Sequence, residues 1–114
     1  MSFTINNNQI ITSNRELVTF DYPIKEAVEI NGIIVVLLGV PSNRVMTENV
    51  FAISTDGKML WQIERTIGNS TDPVNVYTGF TGHDEHSIQV YNWNGTANVV
   101  DLETGKVRRT EIAR

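Results

Sequence analysis

Apolar residues recur at alternate positions in short runs along this chain, and Gly, Asn, Asp or Pro interrupts the runs every few residues. The clearest unit is Asn49 to Arg65, NVFAISTDGKMLWQIER. If Thr55-Asp56-Gly57 forms a three-residue hairpin loop, a period of two puts Phe51, Ile53, Met59, Trp61 and Ile63 on one face. Val50, Ala52, Ser54, Leu60, Gln62 and Glu64 then form the smaller, wetter face. Gly57, third in the loop, supplies the positive φ that closes it.

The same pattern continues on either side. Gln9 to Thr12 and Leu17 to Tyr22 pair across Ser13-Asn14-Arg15-Glu16, and Pro23, which lacks an N–H, ends the second run. Ile24 to Ile30 leads through Asn31-Gly32 into Ile33 to Leu38; Asn-Gly between two apolar runs suits a type I′ turn. Ile33 to Leu38 is apolar on both faces, which predicts a central strand covered on both sides. Gly39 to Glu48 reads as a loop, and Thr66 to Pro73 as the boundary between two halves. Beyond it come strands at Val74 to Phe80, His86 to Trp93, Thr96 to Leu102 and Lys106 to Ile112. Thr81 to Glu85, Asn94-Gly95 and Glu103-Thr104-Gly105 are the turns between them. The last hairpin sets Leu102 against Val107 and Asp101 against Arg108. Helix signals are nearly absent: Asn14-Arg15-Glu16-Leu17 offers a cap, but no stripe of period 3.6 follows.

The prediction is a single all-β domain, 1–114, an antiparallel meander of about ten short strands. An N-terminal hairpin (1–23) precedes two blade-like repeats, 24–65 and 74–112. The repeats align Asn49-Val50-Phe51-Ala52-Ile53, then Asp56-Gly57-Lys58, with Asn98-Val99-Val100-Asp101-Leu102, then Thr104-Gly105-Lys106. The offset is 48 or 49 residues, with one residue more in the first loop. Four strands per repeat at such a period is the pattern of propeller blades.

At these residues the chain resembles the quinoprotein-type (PQQ-like) β-propeller repeat. NVFAISTDGKMLWQIE is similar to its outer hairpin, an apolar strand, an Asp/Thr-Gly-Lys turn and a strand bearing Trp. Val99 to Val107 follows the pattern through its turn, then departs with Arg108 and Arg109 where the repeat has an apolar residue and Trp. The resemblance implies blade-like architecture and no quinone chemistry, since no matching catalytic residue is present to carry over. Two blades cannot close a ring of typically 4 to 8. Either two or three copies assemble one, or the strands curl into a closed barrel or sandwich within the chain. A homo-oligomer is expected in both cases, because Ile33 to Leu38 needs cover on both faces.

Composition narrows the function. A chain of 114 residues is one domain, and the absence of cysteine removes disulfides, thiolate metal sites and thiol nucleophiles. A net charge of −4 does not favour nucleic acid. Lys106, Arg108, Arg109 and Arg114 near the C-terminus read as strand-edge charges that discourage edge pairing. The N-terminus has no basic and apolar leader, and Ile33 to Leu38 is far short of the ~20 residues of a membrane helix. A soluble cytoplasmic protein with no membrane contact is therefore expected. His83-Asp84-Glu85-His86 has metal-ligand types, but on a strand the two histidines point to opposite faces, so it reads as a solvated turn with no metal. Carboxylate pairs such as Glu26 and Glu29 lack an apolar surround, and neither Gly-x-Ser-x-Gly nor a phosphate loop occurs. No catalytic residue and no cofactor are assigned. Tyr91 and Trp93 share a face, placed either to stack on a sugar or anchor a partner, or to pin the hairpin register. The expectation is a non-enzymatic interaction or scaffold protein that acts as a small oligomer, with a protein partner possible. The alternative is a small-ligand or carbohydrate-binding module using Tyr91 and Trp93.

Overall fold

The computed structural model describes residues 3–41, 48–63, 77–92 and 96–112. Among them are eleven strands in three separate antiparallel sheets, with no helix and no sheet closed on itself. The all-β expectation holds and the closed barrel does not. The first sheet is β1 (Phe3–Asn6), β2 (Gln9–Thr12) and β3 (Leu17–Thr19), paired in that order. The expected N-terminal hairpin therefore has a third strand, β1. The second sheet is β4 (Ile24–Ile30), β5 (Ile33–Leu38), β6 (Val50–Ser54) and β7 (Met59–Gln62). The third is β8 (Tyr77–Asp84), β9 (Ser87–Asn92), β10 (Thr96–Asp101) and β11 (Val107–Ile112). Here β8 runs through the expected turn, which shortens to Glu85-His86. The expected boundary at Thr66 to Pro73 and the Asn94-Gly95 turn lie outside the described residues.

The middle sheet is the centre of the stack. β5 runs between β4 and β6, and Ile34 to Leu38 are fully buried. Val35 and Leu37 join Val50, Ala52, Trp61 and Ile63 against Tyr77, Ile88, Val90, Val100 and Leu102 of the third sheet. Ile34, Val36, Leu38 and Ile53 pack the other way, against Ile10 and Phe20 of the first. The Phe20 and Phe51 rings meet there, centroids 5.3 Å apart and tilted by 52°. Each of these aliphatic side chains contributes roughly 1.5–3 kcal/mol by leaving water. Such a strand needs no polar face, which is why its sequence shows no alternation.

The hairpin from β6 to β7 closes as expected but distributes its residues differently. Ser54 N–H donates to Lys58 O at 2.9 Å, Gly57 N–H donates to Ser54 O at 3.0 Å, and Gly57 has φ +79°. A β-bulge lies between Ala52 and Ile53, so Met59 stands opposite Ile53 while Trp61 stands opposite Ala52. The extra residue, Leu60, turns the rest of the strand over. Trp61 and Ile63 therefore share a face with Ala52 and Val50, not with Phe51 and Ile53.

The repeat is present, in a different register from the one expected. Thr12 N–H donates to Glu16 O, Ser54 N–H to Lys58 O and Asp101 N–H to Lys106 O, each at 2.9 Å. A residue of positive φ precedes each closing carbonyl residue: Arg15 (+62°), Gly57 (+79°) and Gly105 (+75°). Ser54 thus answers Asp101, an offset of 101 − 54 = 47, and the longer loop is the second. β2 and β3 of the first sheet are a third member, matching β6–β7 and β10–β11. Leu102 stays in the turn while Val107 stands opposite Val100. Arg108 still reaches Asp101, at 2.9 Å.

Candidate functional site

Of the two expected ligand-binding residues, only Tyr91 lies among the described ones. Tyr91 is half-buried on β9, opposite Ala97 of β10 and Gly79 of β8. It stands on the face of the third sheet turned away from the middle one, and Trp93 lies outside the described residues. His86 is exposed in a two-residue turn, its N–H donating to Asp84 Oδ1 at 2.7 Å and its carbonyl accepting from Leu102 N–H at 2.9 Å. His83 lies on β8, and its side chain is outside the described set. Among the described residues no three His, Asp or Glu side chains are grouped to hold a metal ion.

The sheets are tied together by a contact made twice. Trp61 Nε1 donates to Leu102 O at 2.7 Å, and its ring lies on Gly105 so closely that a Cβ there would be 2.5 Å from Cδ2. One sheet earlier, a Cβ on Gly57 would lie 2.7 Å from Glu16 Cβ and 3.6 Å from Val18 Cγ2. Val18 stands opposite Ile10 as Trp61 stands opposite Ala52, so the two contacts use equivalent strands. Asn14 Nδ2 to Asp56 Oδ1, 2.7 Å, adds a polar link beside the first. Beside the second, Arg108 donates to Asp101, and that bond, with the Glu103 N–H, holds the Asp101 carboxyl below the usual carboxylate range.

At the ends of the stack this contact stops. The positive-φ residue of the β2–β3 turn is Arg15, not Gly, and the register position of Trp61 in the third sheet is taken by Arg109. The two ends also differ in cover. On the far face of the third sheet Ser87, Ala97 and Val99 are at most 1% exposed, and Ser87 Oγ has no partner. The far face of the first sheet carries Thr4, Ile11 and Leu17 in one row, and Ile11 and Leu17 are 42% and 57% exposed. Ile5, on β1, is 38% exposed. No strand of this sheet bears a charged residue. The first sheet is thus an open uncharged surface; among the described residues the other exposed apolar pair is Met59 and Leu60 on β7, at 51% and 44%. Sequence reading passed over the first sheet; the signal available was three short strands without a single charge.

A family model described as "Domain of unknown function (DUF7957)" matches residues 1–112. No curated protein matches the chain. Among solved structures it is similar to BamB from Moraxella catarrhalis, a β-propeller, with a TM-score of 0.65 and 13% identity. That likeness covers 96% of this chain and 33% of the BamB chain, so it spans about a third of that protein's length. It supports a propeller-like resemblance of the fold.

Proposed function

This chain belongs to the DUF7957 family, a domain of unknown function, and from that premise we propose that it is a non-enzymatic interaction protein working as a small homo-oligomer. The observation that carries the proposal is the first sheet, which is free of charge and leaves Ile11 and Leu17 exposed while β5 of the middle sheet is covered on both faces. Open apolar sheet surface of this kind marks contact sites in soluble proteins. We read the three sheets as blades of the quinoprotein-type repeat. The Trp61 ring on Gly105 and the BamB likeness support that reading. A head-to-tail ring is disfavoured, because Arg15 and Arg109 replace the docking pair at the two ends and Ser87, Ala97 and Val99 on the far face of the third sheet are already buried. A closed two-fold particle fits better. Light scattering on purified protein from low to high micromolar concentration tests it. A mass that is a small multiple of 12.8 kDa is expected, and a strict monomer throughout the range refutes it.

A further inference from the structure

The turns that close β2–β3 and β6–β7 are equivalent, so β2 answers β6, β3 answers β7 and β1 answers β5. β5 is flanked on its other side by β4, and β8 holds the same place in the third sheet. Among the described residues β1 has no such neighbour, and its outer edge is unpaired there.

That edge differs chemically from the others. β4 carries Lys25, Glu26 and Glu29 and a bulge; β7 has a bulge; β8 has two; β11 pairs across a bulge and bears Arg108, Arg109 and Glu111. These are the devices that keep a sheet edge from recruiting another strand. β3 is three residues long and flanked by Arg15 and Glu16. β1, FTIN, has no charge, proline or bulge, and Thr4, Ile5 and Asn6 are exposed. Its ladder also points the right way. Thr12 N–H is used toward β3, by its bond to Glu16 O, so Phe3–Thr12 is not a hydrogen-bonded pair. Alternation then turns the N–H and C=O of Phe3 and Ile5 outward, away from β2.

We propose that this uncharged edge pairs with that of a second copy of this chain, β1 antiparallel to β1 about a two-fold axis at Thr4. This rests on the oligomer reading above and joins the two copies along the strand edge, leaving the Ile11 and Leu17 face of both open. Phe3 then faces Ile5 of the second copy, and the two pairs exchange four backbone hydrogen bonds. Thr4 faces Thr4 of the second copy. Two-fold pairing brings like against like, and β1 tolerates that because it is uncharged; aromatic against β-branched and Thr against Thr are favourable cross-strand pairs. The result is one six-stranded sheet across the dimer.

The chain has no cysteine, so a single Thr4→Cys reports the contact cleanly. A non-hydrogen-bonded antiparallel pair, with Cα atoms about 4.5 Å apart, is within disulfide reach. The expected result is a wild-type dimer by light scattering, with rapid oxidation of Thr4→Cys to a covalent dimer. Thr19→Cys, on the opposite edge of the same sheet, stays largely monomeric on a non-reducing gel. A second variant, Ile5→Pro, removes an outward N–H; it should keep its β-type circular dichroism and fall to monomer mass. If the wild type is an oligomer yet Thr4→Cys oxidises no faster than Thr19→Cys, the edge assignment is overturned while the oligomer reading stands. A folded Ile5→Pro that keeps the wild-type mass overturns it equally. A monomeric wild type removes both.

Discussion

Gly105 carries two requirements at once, a φ of +75° and a surface flat enough to accept the Trp61 ring. Gly32 separates them, since its φ is +80° and nothing lies within 4 Å of where a Cβ would be. Left-handed backbone alone costs a non-glycine residue roughly 1–2 kcal/mol. Forcing a methyl into a packed contact adds roughly 1–3 kcal/mol. Gly105→Ala should therefore lower urea stability by about 2–5 kcal/mol, and Gly32→Ala by about 1–2 kcal/mol; equal losses would mean the ring contact contributes nothing. At the same turn, the folded carboxyl of Asp101 titrates below its unfolded value, chiefly through the Arg108 hydrogen bond. Its stabilisation is complete above the unfolded pKa of about 3.9 and is lost as pH falls through the folded value. Asp101→Asn should then be less stable than wild type at neutral pH, and the two should converge in acid below both values. Urea melts at several pH values measure this directly; a gap independent of pH would remove the charge from the account.

Between elements, Asn49 does what no run of alternating residues announces. Its Nδ2 donates to Leu38 O and Tyr77 O, both at 2.9 Å, and its Oδ1 accepts from Tyr77 N–H at 3.0 Å, all within the interior. One side chain thereby ties the entry of β6 to the end of β5 and the start of β8. Asn49→Ala leaves these groups unpaired and should cost about 2–4 kcal/mol, at roughly 1–3 kcal/mol for each buried group not rescued by water. Asn49→Asp should be at least as damaging, because a carboxylate would face two carbonyl oxygens; a milder effect would show that the donors are dispensable. The turns were legible in the sequence because their chemistry is local. Asn31 and Gly32 adopt φ +54° and +80°, and Thr55-Asp56-Gly57 closes where its glycine requires. Ile33–Leu38 was legible because burial on both faces leaves no polar position. The bulge at Ala52 was not, since one inserted residue reverses the face of Trp61 without altering the letters around it. β1 has two apolar residues in four, too few to show a period. Ile11 and Leu17 each sit beside an apolar residue of the inner face, Ile10 and Val18, and the letters do not say which of the two is covered. Whether a face is exposed depends on the sheet that does or does not cover it, and that is decided by contacts far apart in sequence.

Across the whole molecule, the middle sheet supplies more than half of each interior cluster, so neither outer sheet has a core of its own. The first sheet buries Ile10 and Phe20 against Ile34, Val36, Leu38 and Ile53; the third buries its apolar face against the opposite side of the same strands. Losing the first sheet would expose four aliphatic side chains of β5 and β6 to water, each worth roughly 1.5–3 kcal/mol. That penalty couples the first sheet to the third through β5, although they share no interface in either cluster. Ile10→Ala tests the coupling. Ile10 is fully buried in the first sheet, and its truncation should cost about 2–5 kcal/mol. Trp61 lies in the other interface, and in a Trp93→Phe background it is the sole indole of the chain. If the three sheets unfold as one unit, Ile10→Ala lowers the urea midpoint of Trp61 fluorescence by the same amount as the midpoint from far-ultraviolet circular dichroism. If the first sheet can peel away alone, the fluorescence midpoint stays at its wild-type value while the dichroism curve splits in two. Coincident shifts are expected, since a strand buried on both faces cannot surrender one cover without weakening its hold on the other.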